Sequence, residues 1–167
     1  MNERDQLVAI KAKLVAQTWT GGSNVVFPTG SVLITRGLNI EEALKSGVRT
    51  PFALIVPGAA QADPQHGEDP NLMVGEVTIR IGVVIPGDAV GENPLMGANR
   101  PDTTKSEGAG LFQVQAEVFN AIGELNTQNS VTLQFRNTAD RGAILLDDKT
   151  YIAFEDHTFE SVFIEAP

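Results

Sequence analysis

Glu76-Val77-Thr78-Ile79-Arg80-Ile81-Gly82-Val83-Val84-Ile85 is the stretch whose reading decides the fold. Val77, Ile79, Ile81, Val83 and Ile85 fall on one side of a period of two, with Glu76, Thr78 and Arg80 on the other. That is the pattern of a strand with one buried and one wetter face. The run then passes into residues 86–108, which are rich in Pro, Gly and charge and have no apolar period. A compact domain that keeps so long a segment off its core commonly uses it for binding, or leaves it disordered until a partner arrives. A second polar loop, residues 59–70, precedes the strand and contains Asp63, Pro64, His66, Gly67, Glu68, Asp69 and Pro70. The two loops are expected at opposite ends of the strand, tens of ångströms apart at about 3.3 Å per residue, as two separate contact surfaces.

Working outward, Phe52-Ala53-Leu54-Ile55-Val56 is an apolar run without alternation, closed by Pro57-Gly58, and is expected as a central strand buried on both faces. Residues 3–17 read as a helix, with Leu7, Ile10 and Leu14 as its stripe and Val8 and Val15 widening it. Lys11 within that stripe either snorkels or leaves the helix loosely packed and partner-facing. Residues 25–27 and 32–35, on either side of Pro28-Thr29-Gly30, predict a hairpin. Asn39 followed by Glu42 predicts the cap of a short helix over 40–45 that Gly47 stops.

Downstream, Leu111, Val114, Val118, Ile122 and Leu125 form the stripe of a long helix, with Gln113, Glu117, Asn120 and Glu124 opposite. Residues 131–136 alternate as a half-buried strand. Residues 143–146 and 151–154 flank Asp147-Asp148-Lys149 as a hairpin, and 158–164 form the last strand. The order predicts one α+β domain over 1–167: a mostly antiparallel, mixed sheet packed by an N-terminal helix and a long second helix, with the long polar loops 59–70 and 86–108.

At 167 residues and 42% hydrophobic, the chain can bury a core without staples. It has no cysteine, which excludes disulfides and thiolate chemistry. Glu3, Arg4, Asp5, Lys11 and Lys13 make the N-terminal segment unlike a secretory signal or a membrane span, so a soluble, intracellular product is expected. The net charge of −9 argues against gripping nucleic acid by counterion release, which needs clustered Lys and Arg.

Chemistry-bearing patterns are sparse. His66 lies near Asp63, Glu68 and Asp69, but the spacing matches neither a zinc helix motif nor a calcium loop, so no metal is expected. His157 follows Glu155-Asp156 at an expected hairpin tip. Gly108-Ala109-Gly110 opens the long helix without the third glycine of a dinucleotide fingerprint or a preceding strand, and no Gly-Lys-Ser/Thr occurs, so no nucleotide or other cofactor is expected. No serine sits in a nucleophile elbow. The chain is expected not to be an enzyme and to have no catalytic residue. A metal-assisted hydrolase using His66 and nearby carboxylates is the alternative from a different class.

The order of elements, with Phe52-Ala53-Leu54-Ile55-Val56-Pro57-Gly58, the polar loop after it, the strand over 76–85 and the helix over 111–125, resembles the tail terminator (tail completion) proteins of long-tailed bacteriophages. The resemblance covers most of the chain and is one of size and element order. It implies a structural virion protein, made in the host cytoplasm and located in the phage tail. Its subunits would close into a homo-oligomeric ring, commonly a hexamer, that caps the tail tube and ends its polymerisation. Its partners would be further copies of itself, the tail tube protein and the head-tail connector, with no membrane and no cofactor. DNA would pass through the lumen without specific binding, which an acidic lining would favour. Another tail or neck role (minor tail, tube or connector subunit) differs only in the neighbours bound. On this reading Asp63, His66 and Asp69 in the first loop, and Asp88, Glu92, Arg100, Asp102 and Lys105 in the second, are the expected partner contacts.

Overall fold

The computed structural model describes residues 1–62, 71–86, 109–128, 131–147 and 150–164. Among the described residues, three helices, α1 (Glu3–Ala16), α2 (Ile40–Lys45) and α3 (Leu111–Thr127), accompany five strands, β1 (Val32–Ile34), β2 (Phe52–Ala62), β3 (Leu72–Pro86), β4 (Leu133–Asp147) and β5 (Thr150–Ile164). The strands form one sheet in the order β1-β2-β3-β5-β4. Only β1 and β2 pair in parallel, joined through α2, and every other pairing is antiparallel. The fold is therefore α+β with a mixed sheet, as the pattern of residues predicts.

The alternation in β3 does what its period dictates. Val77, Ile79, Ile81 and Val83 are buried under α1 and α3, together with Ala153 and Phe159 of β5. Glu76, Thr78 and Arg80 face the other way, across from Glu160, Thr158 and Asp156 of β5. β3 is the middle strand. β2 is interior between β1 and β3, and Phe52, Ala53, Leu54 and Ile55 are fully buried because both faces are covered there.

Each helix begins where a side chain satisfies its free N–H groups. Asn2 Oδ1 accepts from Asp5 N at 2.8 Å, and Asn39 Oδ1 accepts from Glu42 N at 3.1 Å. At α3 the bond runs the other way: Gly110 N donates to Gln113 Oε1 at 3.0 Å.

On the second face of the sheet, Ile40, Ala43, Val48, Phe52, Leu54 and Ile152 form a smaller cluster under α2. Two glycines make room for it. Phe52 lies over its cross-strand partner Gly82, where a Cβ would come within 2.2 Å of the ring, and Phe154 lies over Gly142.

Several expectations are corrected. No hairpin forms about Pro28-Thr29-Gly30: Val25 bridges Thr18, while β1 turns away to lie parallel to β2. Pro57-Gly58 does not end the strand, because a bulge between Pro57 and Ala60 absorbs the missing N–H and β2 runs on to Ala62. Residues 59–62, expected in the first loop, are thus the end of β2, and β3 starts at Leu72. The separate strands expected over 131–136, 143–146, 151–154 and 158–164 merge into the two 15-residue strands β4 and β5. They pair as a hairpin from Leu133↔Ser161 to Asp147↔Thr150, bulged at three places in β4. Val8 and Val15 do not widen the buried stripe of α1, being 51% and 45% exposed.

Candidate interaction surface

Among the described residues, the clearest convergence of reactive side chains lies inside the molecule. His157 was expected at a turn and instead lies mid-strand in β5, with no exposed surface. Its Nδ1 is 3.1 Å from Thr138 Oγ1 on β4. Its Nε2 is 3.1 Å from Glu155 Oε1, and neither of these two atoms has another partner among the described residues. Arg141 donates from Nε to the second carboxylate oxygen, Glu155 Oε2, at 2.7 Å, and its guanidinium lies 5.1 Å over the Phe112 ring at the start of α3. Phe119 closes the top of the cluster, edge-on to His157 at 5.4 Å.

Burial pushes the Glu155 carboxyl up, but contact with His157 and Arg141 outweighs it and holds the group below the ordinary carboxylate range. The side chains of Glu155 and His157 are closed to solvent, so no reactant reaches them in this conformation.

Two more polar groups are tied down structurally. Glu117, expected on the solvent face of α3, is only 5% exposed. Its Oε1 accepts from Thr20 N at 2.7 Å and its Oε2 from Gln17 Nε2 at 3.0 Å, which fastens the turn after α1 onto α3. Arg80 forms a two-pronged bond to buried Asp156, at 2.6 and 2.7 Å, and also donates to Leu38 O ahead of α2. A groove of about 630 Å³ lies between the turn after α1 and α3, lined by Gln17, Thr20, Phe119, Asn120 and Thr127. Among the described residues that line it, the titratable side chain is Glu124, which pairs with Lys13 of α1.

The open surface has a different character. Beyond the Arg80–Asp156 pair, α2 no longer covers the second face, and the β3–β5 ladder continues as Thr78 against Thr158 and Glu76 against Glu160. Like charges stand directly opposite in the last pair, and Arg136 of β4 offsets one of them by pairing with Glu160. β3 spans 15 residues, roughly 50 Å at about 3.3 Å per residue. The chain enters it from 63–70 at one end and leaves it into 87–108 at the other.

Asp63, His66, Asp69, Asp88, Glu92, Arg100, Asp102 and Lys105 all lie outside the described residues. Among the described residues there is no group of three or more His, Asp or Glu able to hold a metal ion, and no helix is long and apolar enough to cross a membrane. No protein-family model matches the chain, and no curated protein sequence matches it.

Sequence reasoning missed the buried trio of Glu155, Asp156 and His157, because a short polar run between apolar residues imitates a turn. The usable signal was parity: Ala153, Phe159 and Phe163 share one face, and that period of two continues unbroken through Glu155 and His157.

Proposed function

We propose that the chain is a structural subunit of a long-tailed bacteriophage tail, closing as a ring, commonly a hexamer, on the last ring of the tail tube and joining it to the head connector. The observation that carries this reading is the geometry of β3. A strand roughly 50 Å long has a polar segment attached at each end, which suits a subunit that touches one ring above and another below. The half-covered sheet face supports it further. Glu76 and Glu160 on an open polar ladder, in a chain of net charge −9, suit a surface past which DNA slides without adhering.

The neighbouring reading, another tail or neck subunit, shares these features and differs in the ring it binds. Electron microscopy of the purified protein mixed with tail tubes separates the two. Density capping one end of finished tubes is the expected result. Incorporation along the tube, or no association with tube ends, would overturn the terminator role. Charge reversal at Glu76 and Glu160 that leaves DNA ejection unimpaired would remove the lumen assignment.

A further inference from the structure

Six of the exposed large apolar side chains fall on two flanks of one layer. Among the described residues the full set is Val8, Val15, Val25, Ile34, Phe112, Phe135 and Leu145, together with Met1 and Ile164, which meet at the paired chain ends. α1 and α3 lie side by side on one face of the sheet, joined by the Lys13–Glu124 pair. At about 100° per residue, Val8 and Val15 project from α1 on the side away from Lys13, hence away from α3. Ile34 shares the face of buried Val32 on β1, one edge of the sheet among the described residues. The first flank of the helical layer is therefore Val8, Val15 and Ile34.

The opposite flank is built on β4, the other edge. Phe135 is 42% exposed and packs on Phe119 with ring centroids 4.9 Å apart, while Leu145, on the same face of β4, is 55% exposed. Phe112, with Arg141 above it, continues the flank along α3. Aromatic and arginine side chains around an apolar centre are the composition of binding hot spots.

We propose that copies of this chain associate head to tail, the β4–α3 flank of one meeting the α1–β1 flank of the next. Each flank carries three exposed apolar side chains in the same layer at an opposite edge of the sheet, those of α1 set among Arg4 and Lys11, so a second copy set alongside brings the two sets together and continues both layers. Strand direction agrees. β1 runs with β2 and β5, and β4 runs against them, so the two edges meet antiparallel.

Length agrees as well. β1 offers three residues, and the bulges of β4 leave 142–145 as an unbroken run of four. A contact between two different patches closes into a ring or extends as a filament, according to the angle between copies. The inference deepens the ring reading by naming the faces through which copies meet, and in that respect it rests on it.

The chain has no native cysteine, which makes the test direct. Two single-cysteine proteins, Val15→Cys and Leu145→Cys, are treated with a short bis-maleimide, separately and mixed, while sedimentation follows the unmodified chain. Cross-linked dimer in the mixture, and little from either protein alone, is the expected result. Cross-linking of each protein with itself would overturn the proposal in favour of a two-fold contact. Heavier species without a mixed cross-link would overturn these flanks while leaving ring formation standing. A monomer at every concentration, with no mixed cross-link, would overturn the head-to-tail contact in solution, while the ring reading, in which copies close on the tail tube, is decided separately by the microscopy with tubes. Leu145→Asp, an exposed position that folding does not need apolar, should raise the concentration at which heavier species form by about tenfold or more.

Discussion

Glu155 Oε1 lies 3.1 Å from His157 Nε2 in a part of the sheet closed to solvent, with Arg141 holding the other carboxylate oxygen at 2.7 Å. Two residues apart on one strand, the pair occupies the same face of β5 and anchors the bulged middle of β4 through Thr138 and Arg141.

The pH dependence of stability follows from that contact. Glu155 has its pKa lowered in the folded chain, so its contribution is fully present above the ordinary carboxylate value of 4.5 and is lost as pH falls through the folded value. Urea midpoints measured from neutral pH down to the acid limb should fall below about pH 4.5. The part due to this group should vanish in Glu155→Gln, a variant expected to cost about 1–3 kcal/mol at neutral pH. An unchanged acid limb in that variant would remove Glu155 as a cause.

Arg80 is held by the two-pronged bond to Asp156, which is 2% exposed. Arg80→Met should destabilise by about 3–5 kcal/mol, because it strands a buried carboxylate. The double change Arg80→Met with Asp156→Leu should recover much of the loss. Chemical denaturation of the four proteins of the cycle measures both.

Gly82 lies beneath Phe52 with no room for a methyl group. Gly82→Ala forces the ring from its place under α2 and should cost about 1–3 kcal/mol. A shortened side chain at residue 52 would relieve the clash, so the two changes should be non-additive in thermal or urea unfolding.

Glu117 joins α3 to the turn after α1. Glu117→Ala should cost about 1–3 kcal/mol by removing the carboxylate that accepts from Thr20 N and Gln17 Nε2, and the Thr20 amide should exchange with solvent markedly faster. An unaltered Thr20 amide would mean that the turn is held by something else.

Glu76 stands directly across from Glu160 on the open half of the sheet. Glu76→Gln removes a like-charge pair and should stabilise by about 0.2–1 kcal/mol. The gain should shrink as salt screens the repulsion in the native chain. Thermal midpoints at low and high ionic strength test it.

The α+β class, β3, the cap at Asn39 and the buried stripe of α3 were legible because each depends on neighbours in sequence: a period of two, a period near 3.6, or a side chain three residues from the N–H it accepts. What was not legible depends on contacts between distant residues. Pro57-Gly58 looks like a stop until β3 alongside absorbs a bulge. Glu155-Asp156-His157 looks like a turn until Arg141, Arg80 and Thr138, from elsewhere in the chain, give each polar group a partner. Glu117 looks solvent-facing until the turn after α1 arrives over it.

The amino-acid pattern alone determined the three helices, the alternation of β3 and the apolar stripe of α3, since burial there follows the local repeat. Only the tertiary structure decided where polar residues are tolerated inside and which apolar ones are left on the outer flanks. A buried charge is stable only when a partner reaches it through space, and an exposed valine or phenylalanine is identifiable only once everything that could have covered it has taken its place elsewhere.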